Sequence, residues 1–198
     1  MTKPHDQRRQ ELMDAARELF LQQGFEATSM SEIARRAEVA QGTFYLYFPS
    51  KQEVLTAIMR ELFEEIFAIF LTVAERPDLS ALAKLRAAMV AVIARMSQES
   101  RLVQAVYLRS NLSLPTQLLE EYNPRMLPAL VSIIEQGIRE GALRVRHPEI
   151  AADLLWSVGY RYFERIAKAQ IAGETAGLPE LEQGFWAFTM QGLGLVES

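Results

Sequence analysis

Residues Thr28 to Lys51 read TSMSEIARRAEVAQGTFYLYFPSK, and this stretch decides the fold. Ser29-Met30-Ser31-Glu32 has the capping-box pattern, in which the Ser29 hydroxyl accepts from the backbone N–H three residues on and Glu32 reaches back. Ile33, Ala34 and Ala37 then supply the apolar face of a short helix. A tight turn, Ala37-Glu38-Val39-Ala40, leads into a second short segment from Gln41 to Phe48, which Pro49-Ser50 closes. Two short helices joined this way have the helix-turn-helix layout, whose second helix lies in the major groove of DNA. On that helix Gln41 can read an adenine through N6 and N7, and Thr43 can meet a base, a phosphate or a thymine methyl. Gly42 has no side chain, so backbone can approach the duplex there. Tyr45, Tyr47 and Lys51 suit phosphate positioning.

Outward from this stretch, every long segment reads as helix. Upstream, Leu12, Ala15, Ala16, Leu19 and Phe20 recur at spacings of three and four until Gly24. Downstream, Val54, Leu55, Ile58, Leu62, Ile66, Phe67 and Phe70 mark an unbroken helix from about Ser50 to Glu75, closed by Pro77. Further helices are expected over about 80–98 and 101–110. Pro115 and Pro128 are expected to punctuate a helical pair or a kinked helix ending at Gly141. His147-Pro148-Glu149 reads as a helix entry, with proline at the first helical position and an acid in the first turn. That helix runs to about Ile171, and a last one covers about 179–194. No alternating strand pattern, internal repeat or low-complexity tract occurs. The expected fold is all-α: a three-helix helix-turn-helix domain over 1–51 and a larger helical domain over 52–198, joined rigidly by the unbroken fourth helix.

Composition narrows the function. The chain has 198 residues, 49% of them hydrophobic, and no Cys, which removes disulfides and thiol-based zinc or redox chemistry. Its two histidines, His5 and His147, are far apart in sequence, so no metal site is expected. The polar, basic N-terminus has no apolar core of a signal peptide, and IFAIFLTVA at 66–74 is too short to span a bilayer. A cytoplasmic protein without a membrane partner is the expectation. The net charge of −4 arises after residue 51, because residues 1–51 are neutral overall. No nucleotide-binding, zinc-protease or nucleophile-elbow motif appears, and Glu64-Glu65 and Glu120-Glu121 do not converge, so neither catalysis nor a cofactor is expected. A helical adaptor that binds no DNA, or a lipophilic-ligand-binding protein, is the alternative. It leaves the capping box, turn and Thr/Tyr/Lys pattern unexplained, and a gel shift separates the two.

The stretch 8–51 resembles the DNA-binding domain of the TetR family of transcriptional regulators. The resemblance rests on Leu19-Phe20, Gly24-Phe25, Thr28, Ile33-Ala34, Ala37, Val39 and the run Gly42-Thr43-Phe44-Tyr45-Leu46-Tyr47-Phe48 with Lys51. It implies a homodimeric repressor that a small-molecule effector releases from a palindromic double-stranded operator. By position it implies DNA contacts from Thr28, Gln41, Gly42, Thr43, Tyr45, Tyr47 and Lys51. Two positions depart from the pattern: Leu46 stands where relatives often carry a larger or polar residue, and Tyr47 where many carry His.

In the larger domain, the helix beginning at His147-Pro148 is similar to the one this family uses for dimerisation. Its stripe of Ala151, Leu154, Leu155, Val158, Tyr162 and Ile166, paired with Leu181, Phe185, Phe188 and Gly192, would build a four-helix bundle between two copies. Leu154, Val158, Tyr162, Phe185 and Phe188 are the interface candidates. Residues 104–111 resemble a stretch of the family's acyl-CoA-responsive members. Tyr107, Arg109 and Asn111, with Trp156 and Tyr160, are the candidates for an apolar chamber taking a small lipophilic effector, and Arg109 would suit an acidic headgroup.

Overall fold

A computed structural model of the chain describes residues 4–99 and 114–195. The described residues form eight helices, α1 (His5–Gln23), α2 (Met30–Arg36), α3 (Gln41–Tyr47), α4 (Lys51–Ala74), α5 (Ala81–Gln98), α6 (Leu114–Arg139), α7 (Pro148–Ala172) and α8 (Leu178–Gly192). The all-α architecture matches the sequence pattern. The segment expected to be helical over 101–110 lies outside the described residues.

Two units divide the chain inside α4, between Glu64 and Glu65, rather than at the start of that helix. The reason lies in what the first half of α4 holds. Lys51 Nζ donates to Phe25 O and Thr28 O at 2.6 and 2.8 Å, and Arg17 of α1 donates to Glu61 at 3.2 Å. Val54, Leu55, Ile58 and Leu62 are buried, as are Leu12, Ala16, Phe20, Ile33 and Phe44 of the preceding helices. The head therefore includes about half of α4.

Within the head, the turn after α2 is a complete Schellman motif. Val39 N–H donates to Ala34 O at 2.9 Å and Glu38 N–H to Arg35 O at 3.1 Å. Glu38 occupies the left-handed position at φ 54°, where glycine is usual.

In the second unit, α6 is a single helix that contains Pro124 and Pro128, so of the two expected arrangements, a helical pair or one helix, the structure shows one helix. Each proline forfeits one backbone hydrogen bond. Burial of Tyr122, Met126, Leu130, Ile133 and Ile134 along one face supplies the offsetting packing. A polar network ties α5 to the end of α6: the buried Lys84 donates to Gln136 Oε1 at 2.8 Å, and Ala81 N–H donates to Glu140 at 2.9 Å. Near the end of the described chain, Arg144 N–H donates to Leu193 O and Gly194 O at 3.2 and 3.1 Å. Gly194 has φ 60°, and a Cβ there would stand 2.7 Å from Arg144 O, so the approach requires glycine.

On α7 and α8, Tyr162, Ile166 and Phe185 form a buried cluster, with the Tyr162 and Phe185 rings stacked at 4.4 Å. This corrects two interface candidates: Tyr162 and Phe185 are core within one chain. Val158 is half-buried against the same cluster. Leu154 and Phe188 instead stand 59% and 61% exposed. At about 100° per residue, Leu154 and Tyr162 lie roughly 80° apart around the helix, so one broad stripe serves two faces.

Candidate nucleic-acid interface

The interface is built on α3, a helix of seven residues, too short to persist alone in water. Three devices hold it. Phe44 is fully buried and Phe48 nearly so. The Schellman turn fixes how the chain enters from α2. The capping box fixes the start of α2, with Glu32 N–H donating to Ser29 Oγ at 3.2 Å and Ser29 N–H donating to Glu32 at 2.8 Å. Hydrogen bonds from the Ser29 hydroxyl and backbone, then from Gln23, hold the Glu32 carboxyl below the usual carboxylate range.

Along α3, Gln41, Gly42, Tyr45 and Leu46 are exposed, and Thr43 and Tyr47 are half-buried. Nothing lies within 4 Å of the place a Gly42 Cβ would take. Tyr45 meets Phe44 edge-on at 5.8 Å and remains 45% exposed. Tyr47 packs its ring on His5 of α1 at 4.6 Å, a contact with no local pattern to announce it.

Two expected contacts are turned inward. Thr28 is 2% exposed and its hydroxyl donates to Gly24 O at 2.8 Å. The Lys51 ammonium donates to Phe25 O, Thr28 O and, at 3.3 Å, Glu26 O, and stands 4.4 Å above the Phe25 ring. Thr28 thus closes the α1–α2 connection on itself and Lys51 fastens that connection to α4, and neither faces outward from α3. Of the paired arginines on α2, Arg36 bonds Glu18 at 2.9 Å through Nε, whereas Arg35 is exposed with no ion-pair partner among the described residues. Arg8 pairs with Glu11 at 2.7 Å, and Arg9 lies 5.0 Å over the Phe48 ring. Arg36 rather than Arg35 is thus the α2 arginine held in an ion pair, a distinction set by where Glu18 falls in space.

Of the effector candidates, Tyr107, Arg109 and Asn111 lie outside the described residues. Trp156 Nε1 donates to Asn123 Oδ1 of α6 at 2.5 Å, and Tyr160 is half-buried. Two residues after Asn123, the Arg125 guanidinium lies 4.0 Å over the Phe67 ring and 5.5 Å over that of Tyr122. This grouping of two aromatic rings and a cation, with Phe67 on α4 and Tyr122 and Arg125 on α6, had no signature in the sequence.

A short helix fixed by a capped partner and presenting polar and aromatic side chains has the helix-turn-helix arrangement, whose second helix is built to face the major groove. Residues 12–58, which hold the helix-turn-helix, match the profile of the tetR family of bacterial regulatory proteins. YuxN, an HTH-type transcriptional regulator of Bacillus subtilis (strain 168), is 33% identical over 67 residues, 34% of this chain and 23% of that protein. The chain thus aligns with under a quarter of this relative's length. YhgD, a second such regulator from the same strain, is 28% identical over 73% of this chain and 76% of its own length. Among solved structures, Thermus thermophilus FadR, a repressor in complex with lauroyl-CoA, superposes with a TM-score of 0.69 at 21% identity. That superposition covers 96% of this chain and 97% of the other.

Proposed function

We propose that the chain is a ligand-responsive transcriptional repressor that binds a palindromic operator as a homodimer and performs no catalysis. The observation that carries this is the outward face of α3, where Gln41, Gly42, Tyr45 and Leu46 stand exposed on a helix whose other side is locked into the head. The family match over 12–58 and the name of the FadR neighbour support DNA binding and repression. Exposed Leu154 and Phe188 on α7 and α8 support a two-fold dimer through those helices. Two recognition helices would then meet half-sites about 34–36 Å apart.

The effector is an acidic, lipophilic molecule. Lauroyl-CoA in the FadR neighbour supports this class, as do Arg109 in the sequence and the grouping of Arg125 with Phe67 and Tyr122. Release requires that the ligand bind more tightly to the form that does not fit DNA. No helix of the described residues is long and apolar enough to cross a membrane, which is compatible with action in the cytoplasm.

The test is selection of bound duplexes from a random pool, followed by gel shift and release with long-chain acyl-CoA, free fatty acid and cationic drugs. Enrichment of a palindrome and release by the first two is the expected result. No enrichment would overturn the repressor reading, and release by cationic drugs alone would overturn the acidic effector.

A further inference from the structure

We infer that Leu46 is a specificity-determining residue that reads the C5-methyl group of a thymine in each operator half-site, an inference that rests on the DNA-binding reading above. Leu46 is 80% exposed, the most exposed of the large apolar side chains among the described residues. A single exposed leucine ordinarily needs no explanation. This one shares the outward face of α3 with Gln41, Gly42 and Tyr45. In a helix, a side chain leans toward the residues three and four positions earlier, which here are Thr43 and Gly42. Because nothing lies within 4 Å of a Gly42 Cβ position, the leucine stands beside an open notch between a polar reader and an aromatic one.

In the major groove only thymine presents an apolar edge group. The other bases present donors and acceptors, which a leucine would desolvate without replacing their hydrogen bonds. The same side chain therefore favours thymine through its methyl and disfavours the alternatives through their polar edges.

The experiment uses the full chain and the operator enriched from the random pool, with each thymine replaced in turn by uracil, which differs only in lacking the methyl. One thymine per half-site should give about four-fold weaker binding on replacement, the worth of one buried methyl. Leu46→Ala should bind the thymine operator about as weakly as the wild type binds the uracil one, and should not respond to uracil. Leu46→Met should retain the response. An unchanged thermal midpoint in both variants, expected for so exposed a side chain, excludes a folding cause. Wild-type binding indifferent to every uracil, or undiminished uracil sensitivity in Leu46→Ala, overturns this inference alone. A chain that enriches no duplex overturns the DNA-binding reading and this inference with it.

Discussion

Gly42 stands exposed on α3, whereas the Lys51 side chain is turned into the head. Glycine inside a helix costs roughly 0.5–1 kcal/mol relative to alanine, and nothing in the head occupies the space an alanine methyl would fill. Gly42→Ala should therefore raise the thermal midpoint of the head while weakening operator binding, measured by differential scanning calorimetry and gel shift on one preparation. A variant both stabler and equally tight would show that no close approach occurs at that position. For Lys51 the expectation reverses that of a phosphate contact. Its ammonium serves three carbonyls 23 to 26 residues earlier in the chain, and charge-assisted bonds of this kind are worth about 1.5–3 kcal/mol. Lys51→Met should lower stability by about that amount and leave the salt dependence of DNA binding unchanged. A slope reduced by about one with stability intact would return Lys51 to the phosphate-contact role. The sequence offered the lysine but not its partners, because a bond spanning 26 residues leaves no local pattern.

At the scale of the element, the devices that were legible are those that close within one turn. The Ser29–Glu32 box spans four residues and stands as the pattern requires. The entry of α7 at His147-Pro148-Glu149 is equally local and equally faithful. The Schellman turn was half-legible: its position followed from the helix spacing, but Glu38 in the left-handed region did not. Glu38→Gly should raise stability by up to about 1 kcal/mol by relieving that conformation, read from chemical denaturation. The capping box also makes α2 acid-sensitive. Glu32 has its carboxyl held below the ordinary range by Ser29, so its contribution is fully present above that range and is lost as pH falls through the lowered value. Ser29→Ala should cost about 1 kcal/mol at neutral pH and flatten the acid limb of the stability curve. An acid limb identical to wild type would remove Glu32 from that account. Pro128 left a helical pair or one helix open, because propensity alone does not weigh tertiary packing, and a buried face of α6 carries the helix through both it and Pro124.

Across the whole chain, one hydrophobic stripe on α7 was asked to make both a core and an interface, and periodicity could not divide them. Burial does so. Tyr162→Ala or Phe185→Ala should unfold the second unit at a cost of about 3–5 kcal/mol. Leu154→Glu with Phe188→Glu should leave secondary structure intact and shift the species seen by light scattering from dimer to monomer, with loss of operator affinity. A double variant that still scatters as a dimer would place the interface elsewhere. The two tryptophans carry a practical consequence. Trp156, bonded to Asn123, and Trp186, edge-on to Phe185 with Arg86 5.4 Å above it, both belong to the unit that begins at Glu65. The head has none, and its chromophores are tyrosine and phenylalanine. Excitation at the red edge of the indole band is therefore a domain-selective optical probe built into the native chain. Effector titration and melting of the second unit will register in emission, and the helix-turn-helix will stay spectroscopically dark unless a fluorophore is placed there.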